Sequence, residues 1–237
     1  MNLSHFDFSI ILHGKFAEML WSGFITTIQL SSISCILAFF LGLNIAVMRM
    51  MPFAPVRFFA QCYLEFLRNT PLIVQLFFWY FGSYQVLPSF VNNWLNEMSF
   101  EFAAAVIALT FYTSAFIAED IRSGILAIPK EQMEASRSSG FTYIRSMHYI
   151  ILPQAVRLTI PPLINQFLNL AKNSSMAMVI GVGELTYQAR QIESQSFKSF
   201  EAFFAATFIY ICISFAITGM VNIYDKKVLN PMGKGSH

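Results

Sequence analysis

Thirty consecutive residues, Met19 to Met48, contain no Asp, Glu, Lys or Arg. A helix needs about 20 mostly apolar residues to cross the hydrocarbon of a bilayer. Four further stretches have the same character. Asn69–Asn96 is uncharged, Phe102–Ala118 is uncharged, Leu158–Gly183 is interrupted only by Lys172, and Ala202–Tyr224 is uncharged. Only 12% of the chain is charged, against roughly 25% in an average soluble domain. The net charge of +2 excludes a basic nucleic-acid-binding domain. The chain reads as an all-α integral membrane protein with five transmembrane helices.

The second span is expected to begin before its uncharged part, near Arg57, and to end around Leu87, with Pro88 and Asn92-Asn93 in a loop. The N-terminus lacks the basic start of a cleavable signal, and its apolar stretch is too long for a signal core, so it reads as a retained first span. Basic residues set the orientation, because cytoplasmic loops carry the excess of Lys and Arg. With the C-terminus cytoplasmic, Arg49, Arg57, Arg122, Lys130, Arg137, Arg145, Arg157, Lys226, Lys227 and Lys234 face inward. Lys15, Arg190 and Lys198 face outward, while Arg68 and Lys172 fall inside spans. The expectation is therefore N-terminus outside and C-terminus inside, in one transmembrane domain over residues 1–237. A cytoplasmic loop of about 119–157 lies within it.

That loop has its own structure. Pro129 suits the first position of a helix, Glu131 suits its positive end, and Gly140 suits its left-handed stop. A second helix should run from about Thr142, with Phe141, Ile144, Met147 and Ile151 as an apolar stripe and Pro153 ending or kinking it. Pattern alone leaves an ordinary amphipathic surface helix as open as a docking piece.

Within the loop, Glu134-Ala135-Ser136, Gly140 and, nine residues on, Ile150-Ile151-Leu152-Pro153 resemble the coupling-loop signature of ABC importer permeases. That signature reads Glu-Ala-Ala, three residues, Gly, nine residues, Ile-x-Leu-Pro. The single departure is Ser136 in place of Ala. Phe66 to Leu76, with Arg68-Asn69-Thr70-Pro71-Leu72 and Gln75, is similar to a segment of polar amino acid permeases. Ile180-Gly181 with Glu184-Leu185 resembles their motif after the fourth span. The resemblance implies a type I ABC importer permease in a bacterial cytoplasmic (inner) membrane. It implies a partnership with two copies of an ABC ATPase, a periplasmic or extracellular amino acid-binding protein, and a second permease, identical or paralogous. Glu134, Ala135, Ser136, Gly140, Leu152 and Pro153 would couple to the ATPase. ATP and Mg would be bound by that ATPase, with no cofactor on this chain, which has no Gly-x-x-x-x-Gly-Lys-Ser/Thr loop. The Arg68-Asn69-Thr70-Pro71 and Lys172-Asn173-Ser174 segments resemble glutamate/aspartate permeases most. Glutamine or basic amino acids are the alternative. A membrane-embedded enzyme lacks a nucleophile–base set or paired carboxylates in the spans, and a passive channel has no need of the loop.

Polar residues at membrane depth face water or a bundle interior. At 100° per residue, Asn165, Gln166, Asn169, Lys172 and Asn173 share an arc of about 120°. They form either a substrate pathway wall or a polar seam between helices. If the second span continues past Pro71, Gln75 joins Arg68 on one face as a further pathway candidate. Glu65 and Arg68, three apart, are expected to form a structural ion pair. Pro161-Pro162 marks either a moving bend or a fixed kink. Cys35, Cys62 and Cys212, and the four histidines, show no disulfide or metal-ligand spacing.

Overall fold

The computed structural model describes residues 8–86 and 99–224. All of its regular secondary structure is helical. A single turn, α1 (Ser9–Leu12), precedes α2 (Gly14–Met50), α3 (Ala54–Asn69), α4 (Leu72–Val86) and α5 (Phe100–Leu126). Next come α6 (Lys130–Ser138), α7 (Tyr143–Ser146), a π-helical turn (Met147–Ile151) and α8 (Leu152–Asn173). A 3₁₀ segment (Ser174–Ile180), α9 (Leu185–Ser196) and α10 (Ser199–Tyr224) complete the described chain. The expected loop at Pro88 and Asn92-Asn93 lies outside the described residues.

Among the described residues three helices are long and apolar enough to cross a membrane: Gly14–Met50, Phe100–Leu126 and the Ser199–Gly219 part of α10. At 1.5 Å per residue the 37 residues of α2 reach about 55 Å, well beyond a hydrocarbon core of about 30 Å. The exposed surface is that of a membrane protein. Phe59, Phe66, Phe81 and Phe215 each leave about 70% of their area uncovered, a cost that water would not tolerate over so many positions.

The expected second span is not one helix. Thr70 is extended (φ −104°, ψ 128°), so α3 ends at Asn69 and α4 starts at Leu72. The cause is Pro71, which has no N–H and pushes the residue before it out of helical geometry. The side chains of Asn69 and Thr70 donate to the carbonyls of Glu65 and Phe66, each at 2.7 Å. They cap the end that the proline creates. The unbroken helix past Pro71 that would put Gln75 on one face with Arg68 is not formed. By contrast, Pro161 and Pro162 lie inside α8.

The described residues fall into two compact units. One takes in the chain up to Ser34, Leu72–Leu109 and Leu168–Tyr224. Its core gathers Leu20, Leu185, Ala189, Ile192, Ala202 and Ala206. Gly23 lets α2 approach α9, since a Cβ there would stand 2.9 Å from Leu185 Cα. The other takes in Cys35–Pro71 and Thr110–Phe167. Ile45, Ala46, Ala60, Leu64, Leu67, Ala115 and Ala118 form its core. Small residues again permit close helix approach: a Cβ at Gly42 would meet Ile117 Cγ2 at 2.7 Å. Tyr63 adds a polar tie, its hydroxyl 2.6 Å from Ser114 Oγ.

Candidate functional site

The 119–157 segment folds as two helices around a glycine elbow. Pro129 precedes α6 with Glu131 in its first turn. Gly140 has φ +87°, and the helix end is closed by two bonds. Gly140 N–H donates to Arg137 O at 3.0 Å and Phe141 N–H to Ser136 O at 3.2 Å, the pattern of a Schellman cap. The Thr142 side chain then caps α7 by accepting from Arg145 N–H at 3.4 Å. Pro153 does not end the second helix. The π-helical turn Met147–Ile151 carries the chain into α8, in which Pro153 is the second residue. The π turn directly before Pro153 is the kind of irregularity at which helices kink.

The expected apolar stripe is divided by that turn. Ile151 is buried with Ile128 and Ala155, and Met147 packs against them. Ile144 remains 78% exposed and Phe141 39%. The π turn adds a residue per hydrogen-bonded ring, so the two halves of the stripe no longer share a face. Glu134, Ala135 and Gly140 are exposed, as are Leu152 and Pro153. Ser136 alone of the motif's first triplet is buried.

Of the predicted polar stripe on α8, Asn165, Asn169 and Lys172 are exposed, and Gln166 and Asn173 are partly buried. Gln166 donates to Asp120 Oδ2 at 2.8 Å. Lys172 borders an open cavity of about 400 Å³ with Thr207, Tyr210, Ser214, Phe215 and Thr218 of α10. Among the described residues no carboxylate forms an ion pair with Lys172. Gln75 is buried, with 4% of its area exposed.

Glu65 and Arg68 do not pair. Glu65 Oε1 accepts from Gln61 at 2.6 Å and its Oε2 from Asn69 at 3.2 Å. The acid facing Arg68 is Glu119 of α5, at 3.9 Å, and the Arg68 guanidinium also stands 5.6 Å from the Phe116 ring centre. Spacing along one helix permits a pair, but α5 packs against this flank of α3 and offers a less exposed carboxylate. Glu119 is a hub. It pairs with Arg49, and with Arg122 at 3.5 Å. Arg49 donates in turn to Gln61 at 2.6 Å. Arg49 and Glu119 are 70 positions apart, so no local spacing announces them.

The setting of a second acid also escapes the sequence pattern. Glu184 is fully buried at the start of α9. Its carboxylate accepts from Tyr187 N–H at 2.7 Å, Thr186 N–H at 2.9 Å and the Tyr210 hydroxyl at 2.7 Å. Burial raises its pKa, and the bonds from Thr186, Tyr210 and Tyr187 oppose that rise. Leu185 N–H donates to Thr27 Oγ1 at 3.1 Å, completing the cap. Gly181, at φ +90°, ends the preceding segment with a second Schellman pair of bonds, Gly181 to Met178 and Val182 to Ala177. The adjacent turn and N-cap were the available signal: Gly-x-Gly followed by Glu.

The exposed elbow, the polar face and the apolar exterior occur together in one family. Residues 36–230 match the model described as the inner membrane component of binding-protein-dependent transport systems. The chain belongs to that family. This permease is 43% identical over 218 residues to a probable glutamine ABC transporter permease protein, GlnM, of Bacillus subtilis, covering 92% of the present chain and 96% of the relative. It is 32% identical to the glutamate/aspartate import permease protein GltJ of Escherichia coli, covering 91% and 89%. A crystal structure of an amino acid ABC transporter with histidines superposes with a TM-score of 0.83 at 33% identity, over 94% of this chain and 99% of that one. The inward-facing MetNI methionine transporter shares the fold, with a TM-score of 0.64 at 19% identity over 89% of this chain and 99% of that one. The permease is thus an amino-acid ABC transporter subunit with the type I fold.

Proposed function

We propose that this permease forms half of the translocation pathway of an ATP-driven importer for acidic amino acids, glutamate and aspartate. It spans a bacterial cytoplasmic membrane five times, N-terminus outside and C-terminus inside. A second permease completes the pathway. A binding protein delivers the amino acid from outside, and two separate ATPase subunits bind Mg and ATP and hydrolyse it. The exposed face of the 119–157 loop docks on the ATPase. Glu134 supplies a polar contact, Ala135 allows close approach, and Gly140 sets the elbow that transmits ATPase closure to α8. The observation that carries the pathway is the row Asn165, Asn169 and Lys172, exposed on a helix within the stretch 158–183 whose one charged residue is Lys172. Such a row cannot face lipid without large cost, so a second permease and the aqueous path between the two cover it.

The Lys172 ammonium, with no acidic partner among the described residues and hydroxyl-bearing Thr207, Tyr210 and Ser214 across the cavity, supports an anionic side chain as cargo. Glutamine is the second reading, favoured by the printed name of the 43% identical relative. Competition uptake separates the two. Proteoliposomes holding the permease pair, ATPase and binding protein take up labelled glutamate. Unlabelled aspartate competes strongly under the first reading, and glutamine competes better under the second. Arginine competing best would overturn both.

A further inference from the structure

The departure of the loop from the family's Glu-Ala-Ala triplet is at Ser136, and the structure puts that hydroxyl to use. Ser136 is 5% exposed and donates to Ser146 Oγ at 2.7 Å. The Met133 carbonyl lies 2.8 Å from the same hydroxyl. Ser146 is fully buried on α7. The two serines flank Gly140, four residues before it and six after, so their contact closes a ten-residue loop across the elbow.

We propose that the Ser136–Ser146 hydroxyl pair is a staple that sets the angle between the two helices of the loop, and so positions it for coupling. The loop has two attachments. One is apolar, Met133 of α6 against Ile128, Ile151 and Ala155. Apolar contact is non-directional and permits α6 to pivot. The other is the serine pair, whose bond has a preferred direction and length. A force on the exposed face of α6 passes to α8 without slack only if both attachments hold. Removing Ser136 takes this partner from the buried Ser146 hydroxyl, whereas removing Ser146 leaves Ser136 its bond to the Met133 carbonyl; either change, or both together, removes this directional tie across the elbow. The staple and its coupling role rest on the docking reading given above.

The test is a double-mutant cycle in the reconstituted transporter with its ATPase and binding protein. The readout is amino acid imported per ATP hydrolysed, which does not depend on how much protein inserts. S136A and S146A are each expected to lower this ratio three- to tenfold while ATP hydrolysis continues. S136A/S146A has lost the same single bond and is expected to show a ratio no lower than the singles, because the second substitution removes nothing further. A wild-type ratio in S136A overturns the staple, and so does a double variant whose loss is the product of the two single losses. Should the single variants fail to accumulate, the double variant is measured in their place: a lowered ratio supports the pair, and a wild-type ratio or a failure to accumulate overturns it. G140V tells this apart from the docking reading. If G140V still couples, the loop is not the docking element; if G140V uncouples and S136A does not, only the staple is wrong.

Discussion

The Tyr210 hydroxyl donates to the buried Glu184 carboxylate at 2.7 Å, while the same tyrosine borders the cavity that contains Lys172. One side chain thus ties the N-cap of α9 to the wall of the cavity beside Lys172. Tyr210→Phe removes the bond and keeps the ring. A hydrogen bond contributes about 0.5–1.5 kcal/mol, and about 1.5–3 kcal/mol where one partner is charged, and two backbone donors remain on Glu184. A loss near 1.5 kcal/mol is expected, seen as a lower unfolding temperature of the solubilised transporter. An unchanged temperature would show that the bond carries no net stability.

Glu184 also makes stability depend on pH. Burial raises its carboxyl above the ordinary 4.5, so the folded protein holds the proton where the unfolded chain has released it. The contribution is complete below the ordinary value and is lost as pH rises through the folded one. The unfolding temperature of the wild type should therefore fall on this rise. Glu184→Gln, which cannot ionise, should flatten that part of the profile. An identical slope in the variant would assign it to other groups.

Glu119 is the carboxylate that Arg49, Arg68 and Arg122 share. Arg49 is only 10% exposed, so Glu119→Gln leaves a largely desolvated guanidinium without its counter-charge. The cost is expected at the low end of the range for broken buried pairs, about 3 kcal/mol. Glu65→Gln, on the exposed face of α3, should cost less than about 1 kcal/mol. Thermal unfolding of the two variants side by side checks the ranking, which reverses if Glu65 is the true partner of Arg68.

Lys172→Met keeps an unbranched side chain, one atom shorter, and removes its charge. Insertion and co-purification with the ATPase should be unchanged, with glutamate uptake at least tenfold lower. Lys172→Arg should retain more uptake than Lys172→Met. Normal transport by the methionine variant would take Lys172 out of the pathway.

Much of this molecule is legible one helix at a time. Charge-free stretches mark α2, α5 and α10, and Pro129 and Gly140 bracket α6 within a residue, because these signals are local. The break at Thr70 is local too, yet the surrounding apolar run hides it unless Pro71 is given priority over hydrophobicity. What stays hidden is set by distance along the chain. Gln166 meets Asp120 across 46 positions and Arg49 meets Glu119 across 70. Periodicity places each on its own helix and is silent about the partner helix. Ser136 shows the limit differently. Its size is readable as a match for alanine, but its hydroxyl has meaning only once Ser146 is beside it.

Gly140 carries a requirement of handedness rather than of volume. A Cβ added there would meet nothing within 4 Å, yet φ is +87°. An L-residue in this region is disfavoured by roughly 1–2 kcal/mol, and its mirror image is not. Semisynthetic D-alanine at 140 should leave import per ATP near wild type, while L-alanine lowers it. At Gly42, where a Cβ would strike Ile117, the obstacle is volume. The turn between the two helices of the loop is thus specified by stereochemistry, and it accepts any residue of the right hand that fits the open space beside it.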